Sequence, residues 1–173
     1  MNIFLKSFVF LGIYGVLHFG YELTGWSWLV PVFGTNESVF EHLKMVYWAY
    51  LFASLIEAAA AGSLRRRETP GFWPSRFLSV VLAPWVVVLI WYVLPGFVGK
   101  VESLAVELSW AFAVTYVVGL VAGMLEHDLE RLPWKGRTRL LLTALLVLGG
   151  FFFVFFSFST PWIDVFVDPA TLE

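Results

Sequence analysis

The 173-residue chain has no cysteine. Disulfides, thiolate metal sites, haem attachment through cysteine and thiol catalysis are thereby excluded. It is also poor in charge: only 14% of its residues are Asp, Glu, Lys or Arg, against about 25% in an ordinary soluble domain. Its basic residues form no stripe that would track a phosphate backbone, so nucleic acid is not an expected partner. There is no internal repeat and no low-complexity linker. Five unrepeated helices cannot supply inverted repeats within one chain, although a homodimer can. Histidine is scarce, with three in all.

What is abundant is apolar side chain, at 60% of the sequence. A soluble domain of this size cannot hide that much. The chain also contains apolar runs of membrane-crossing length, about 18 residues or more. Five spans are expected, at about 3–21, 38–63, 77–94, 103–125 and 140–160. The fold class is therefore all-α. Residues 1–173 form one integral membrane bundle of five transmembrane helices. The first run is too long for a signal-peptide core, and no small-residue cleavage site follows it. Nine of the eleven basic residues (Lys6, Arg65, Arg66, Arg67, Arg76, Arg131, Lys135, Arg137 and Arg139) fall on one side, and only Lys44 and Lys100 on the other. By the positive-inside rule the N-terminus is cytoplasmic and the C-terminus extracytoplasmic, in a multi-pass cell-membrane protein surrounded by lipid.

Several local expectations follow. Pro84 should kink the third span. The run "FFFVFF" at 151–156 is bulky on every face and reads as a lipid-facing helix, Phe153 included. In the fourth span Glu107, Ala111, Thr115, Gly119 and Gly123 recur every four residues. That small ridge suits close helix packing, against the second helix or against Gly12 and Gly15 of the first. It makes the fourth helix the expected centre of the bundle. The segment Glu22 to Thr35 is too broken by Gly and Pro to span, and should lie along the outer surface. The "EHDLER" run, Glu126 to Arg131, reads as a solvated cytoplasmic turn, with little role for His127.

The polar residues are unevenly placed. His18 and Glu22 end the first span. "NESVFEHLK", Asn36 to Lys44, begins the second on the same side. Glu107 lies about one turn inside the fourth. In the opposite half only Glu57 stands out, with Arg76 or an arginine of "RRR" as its partner. Positions four apart share a helix face, which groups His18 with Glu22 and Glu37 with Glu41. Ser38 and Glu41 also fit a capping box, and Glu41 with Lys44 an ion pair. Ionisable groups within spans are expensive and usually carry a function or a partner.

His18, Glu22 and His42 are thus candidate ligands for a divalent metal such as zinc, which accepts two His and one Glu with an open position. Glu41 and Glu107 are candidate catalytic carboxylates, and Asn36, Glu37 and Lys44 the rim. Metal-assisted hydrolysis of a lipid or amphipathic substrate fits this donor set. An ion- or proton-coupled transporter, or a non-enzymatic subunit or assembly factor, uses the same residues differently. A homodimer is compatible with each.

The motif "NESVFEHLK", after a helix ending in His18 and Glu22, resembles the signature of a family of small, uncharacterised prokaryotic polytopic membrane proteins. That resemblance covers the first two spans and implies no activity. The polar run is also faintly similar to that of membrane hydrolases related to adiponectin receptors and alkaline ceramidases, a similarity that implies a zinc-binding histidine. Those proteins have seven spans and a His pair in the last, which this sequence lacks.

Overall fold

The computed structural model describes residues 1–99, 101 and 103–171, excepting the side chains of 63–68 and 170. Lys100, Glu173 and the side chains of Arg65, Arg66 and Arg67 lie outside the described residues. Among the described residues the chain is all helix and turn. The helices are α1 (Ile3–Thr24), α2 (Val39–Glu68), α3 (Phe72–Trp91), α4 (Val93–Val98), α5 (Leu104–Leu129) and α6 (Gly136–Phe158), with short 3-10 turns at Ser27–Leu29, Asp164–Phe166 and Pro169–Thr171. Five helical stretches are long and apolar enough to cross a membrane: Ile3–Thr24, Val39–Gly62, Phe72–Val98, Leu104–Leu129 and Gly136–Phe158. These are the five expected spans, each a few residues different at its ends.

Local chemistry sets the boundaries. Asn2 caps α1, its side-chain oxygen accepting from the Phe4 N–H at 2.9 Å. Gly25 ends that helix in the left-handed region, at φ 64°, and donates its N–H to the Tyr21 carbonyl. Only glycine takes that conformation without a steric penalty. Gly62, at φ 72° and ψ 169°, interrupts α2 near the end of its apolar stretch. α3 runs through Pro84, which is buried.

Four helices close a ring. α1 packs on α2 and α5, and α3 packs on the same two. α2 is the most enclosed, with half of its apolar stretch buried. It is α2, not the fourth span, that lies closest to the core. Met45, Val46, Ala49, Tyr50 and Ala53 on its inner face are at most 1% exposed. The small ridge of α5 packs on α1. A Cβ added to Gly119 would meet Ser7 and Phe10 at 3.1 Å, and one added to Gly123 would meet Ile3 at 2.8 Å. Gly12 and Gly15, expected to receive that ridge, have open space beside them; Ser7 and Phe10 receive it instead.

α6 lies outside the ring, against α3 and against Tyr47 of α2, whose hydroxyl donates to the Leu146 carbonyl. Phe151 and Phe155 are well exposed, as a lipid-facing helix requires. Phe153 is not: it is 5% exposed and packs on Tyr47 and Phe40 with ring centroids 5.1 and 5.8 Å away. A helix that is bulky all round still presents one face to the bundle, and its composition did not reveal which.

Candidate functional site

The connection between α1 and α2 folds back over their adjoining ends. The Gly34 N–H donates to the Leu17 carbonyl at 3.0 Å. Phe33 seats against Gly20, where a Cβ would come within 2.8 Å of its ring. The fully buried Lys44 donates to Val30 O at 2.8 Å, Glu41 Oε1 at 2.9 Å and Ser157 Oγ at 3.1 Å. Those three bonds use all the N–H groups an ammonium has. Glu41 Oε2 in turn accepts from the Thr35 N–H at 2.8 Å. Ser38 caps α2 by accepting from the Glu41 N–H at 3.3 Å, and the Asn36 side chain accepts from the Ser38 N–H at 2.9 Å. The capping box is therefore half formed, because the Glu41 carboxylate reaches the connection instead of its own cap.

This pinning brings Glu37 to two histidines. Glu37 Oε2 lies 3.4 Å from His42 Nε2 and 3.7 Å from His18 Nε2. The two imidazoles meet edge to face, with centroids 5.5 Å apart. One donor atom from each of His18, Glu37 and His42 lies within 4.8 Å of the others. His42 Nδ1 is 2.9 Å from the Ser38 carbonyl. A carbonyl only accepts, so Nδ1 carries the proton and Nε2 is the atom free to act toward Glu37 or a metal. When the rings are also protonated at Nε2, hydrogen bonding from His42 holds the Glu37 carboxyl below its ordinary value; partial burial opposes that shift, and the charges of both imidazoliums reinforce it. Beside this triad is a cavity of about 220 Å³, lined by His18, Phe19, Tyr21, Glu22, Gly34, Thr35, Asn36, Glu37 and Met45.

The expected site residues therefore separate. His18 and His42 come together, and Glu22 shares the cavity wall with His18. Glu37, read from sequence as rim, stands between the histidines. Asn36 is at the rim. Glu41 and Lys44 are buried in a mutual ion pair, 2.8 Å apart, and both of Glu41's oxygens are engaged. Glu107 is exposed on α5 and belongs to neither the triad nor the cavity wall. The spacing of Glu37 to His42 in sequence gave no sign of this arrangement, which depends on the fold-back of the connection.

A second polar cluster lies at the other end of the ring. Lys6 Nζ is 2.8 Å from Glu57 Oε2 and 2.5 Å from Glu126 Oε2. Arg76 bonds Glu57 through Nη2 at 2.9 Å and Nε at 3.2 Å, and Glu130 through Nη1 at 2.5 Å. Tyr50 donates to Glu126 Oε1 at 3.0 Å. Each of the four ring helices thus contributes a charged group, and every one of these side chains is buried. The Glu57–Arg76 pair matches the sequence reading. The remainder corrects it. α5 continues to Leu129, so Glu126 and Glu130 turn inward. Lys6, counted as a flanking charge, is 2% exposed. Glu126 and Glu130 share a face by their four-residue spacing, the one signal that would have found them. His127 is exposed beside Arg131.

A bundle with five helices long and apolar enough to cross a membrane fits a multi-pass membrane protein. Across residues 2–172 the chain matches the DUF6512 family, described as a family of unknown function, and it belongs to that family. No curated protein and no solved structure matches the chain. The match lends nothing to the similarity to adiponectin receptors and alkaline ceramidases.

Proposed function

We propose that this protein is a metal-dependent membrane hydrolase that holds one zinc-class divalent ion on His18, Glu37 and His42. The observation that carries the reading is the convergence of those three donors from α1, α2 and the connection between them. Two imidazoles and a carboxylate with space on the open side are the donor set of many catalytic zinc sites. A zinc-class ion there supplies a nucleophile at neutral pH by acidifying bound water. The chain's own contribution is positional. Ser38 fixes the His42 tautomer, and Lys44 and Glu41 fix the connection that carries Glu37. Glu22 is a second carboxylate in the cavity wall, one helical turn beyond His18. The basic asymmetry of the sequence supports an outer-face position for this end, where an amphipathic substrate would have access.

Elemental analysis of the purified protein tests the reading. About one zinc-class ion per chain is expected for a single three-donor site. His18→Ala and His42→Ala should each lose it, and His127→Ala should retain it. Cleavage of a long-chain fluorogenic ester or amide should disappear with the metal. Wild-type protein that stays metal-free after reconstitution ends the proposal.

An ion- or proton-coupled carrier is the second reading, and the buried ionic cluster at the far end favours it. A path between the two ends would run about 18 Å along α1, from Lys6 to His18. Phe10, Val46, Ala49 and Ala53, all 0% exposed, lie in that interval together with the buried phenols of Tyr14 and Tyr50. The three donors that converge at the histidine end make the hydrolase the better-supported reading.

A further inference from the structure

We infer that the cavity beside His18 receives a positively charged amine, with Glu22 as its counter-ion, and that the amine belongs to a membrane amphiphile. This names the substrate class of the site proposed above and rests on that reading. The argument begins with charge. Between Ser7 and Leu43 the sequence contains no lysine or arginine. Lys44, next along the chain, is 0% exposed and has all three donors engaged by Glu41, Val30 and Ser157. Among the described residues the cavity wall contains two carboxylates, Glu22 and Glu37, beside the His18 imidazole, and no lysine or arginine. A phosphate or carboxylate head group would find none of the Arg or Lys contacts that such groups use. Glu37 is committed to the histidines. Glu22 remains as an anion in the wall, four residues and one helical turn beyond His18.

The rest of the wall fits an ammonium. Phe19 and Tyr21 line the same cavity as Glu22, and aromatic faces attract bound organic cations. A volume of about 220 Å³ gives room for a small head group but not for a long chain. Phe19 is 42% exposed on the outside of α1, and α1 is one of the helices long and apolar enough to cross a membrane. A hydrocarbon tail can therefore pass over Phe19 into the apolar surroundings of α1 while the head stays at Glu22.

The test uses the full chain in nonionic detergent at pH 7, with nitroxide-labelled stearylamine and nitroxide-labelled stearic acid as probes and metal content measured on the same samples. The amine probe should show a saturable immobilised spectrum, and the acid probe should not. Glu22→Gln should weaken amine binding about tenfold or more, the effect of losing one charge-assisted bond, while Glu107→Gln leaves it unchanged. Retention of metal by Glu22→Gln shows that the variant is folded. Displacement by dodecylamine but not propylamine assigns the ammonium to an amphiphile; displacement by propylamine as well overturns that assignment in favour of a soluble amine. Equal immobilisation of both probes, or full amine binding by Glu22→Gln, overturns the inference while leaving the metal reading intact. Amine binding by a metal-free wild type sinks the hydrolase and not the cation site.

Discussion

Replacing Arg76 by Met should destabilise the bundle more than any other single change at a charged position. The guanidinium makes two bonds to Glu57 and one to Glu130, and its Nε is 3.5 Å from Glu126. These side chains are all less than a tenth exposed. Removing one partner of a buried pair leaves an uncompensated charge and costs about 3–5 kcal/mol. Lys6 remains 2.8 Å from Glu57 and 2.5 Å from Glu126, so it offsets part of the loss, and about 3 kcal/mol is the expected value on that scale. Unfolding in mixed micelles of increasing SDS fraction, followed by circular dichroism, measures it. Glu57→Gln combined with Arg76→Met should lose less than the sum of the two single changes, because each single change strands the other's charge. Arg131→Met, at an exposed position beside His127, should leave the midpoint where it is. If Arg76→Met falls within about 1 kcal/mol of wild type, the size of a surface pair, then the ring is not held by this network and the reasoning fails.

Three further outcomes follow from the packing and the charge pattern. Phe153→Ala should lower stability by about 3 kcal/mol, as for a buried Phe truncation, and Phe151→Ala by much less; equal effects would show that α6 docks on a different face. Gly119→Leu should abolish folded protein on size-exclusion chromatography, because a Cβ alone would already meet Ser7 and Phe10 at 3.1 Å; a folded, monodisperse variant would refute the α1–α5 contact. A reporter fused after Glu173 should be active only in its extracytoplasmic form, and cytoplasmic activity would overturn the orientation proposed from the basic residues.

The five long helices were legible because apolar runs of that length have few alternatives in a chain with so little charge. The partners within the bundle were less so. The four-residue ridge of α5 announced close packing but not its partner, because the receiving surface on α1 is Ser7 and Phe10 rather than its glycines. Glu126 and Glu130 were hidden by their neighbours: a stretch rich in charge reads as solvated until one face of it is known to be buried. Lys6 misled in the opposite sense, since a basic residue at a helix end serves the positive-inside rule equally well whether it is wet or enclosed. At the histidine end, the similar depth of His18 and His42 in their spans anticipates that the two rings meet. The position of Glu37 between them depends on three ties, Gly34 to Leu17, Lys44 to Val30 and Thr35 to Glu41, none of which has a sequence signature. The same ties engage both oxygens of Glu41.

X-ray absorption at the zinc edge of reconstituted protein addresses the central claim most directly. The proposal predicts two imidazole nitrogens at about 2.0–2.1 Å and oxygen at about 2.0–2.2 Å in a four-coordinate shell. His42→Ala should lose one imidazole from that shell, and Glu37→Gln should alter its oxygen component. A spectrum of oxygen ligands alone, or one unchanged by His42→Ala, would contradict a metal centre built on His18, Glu37 and His42.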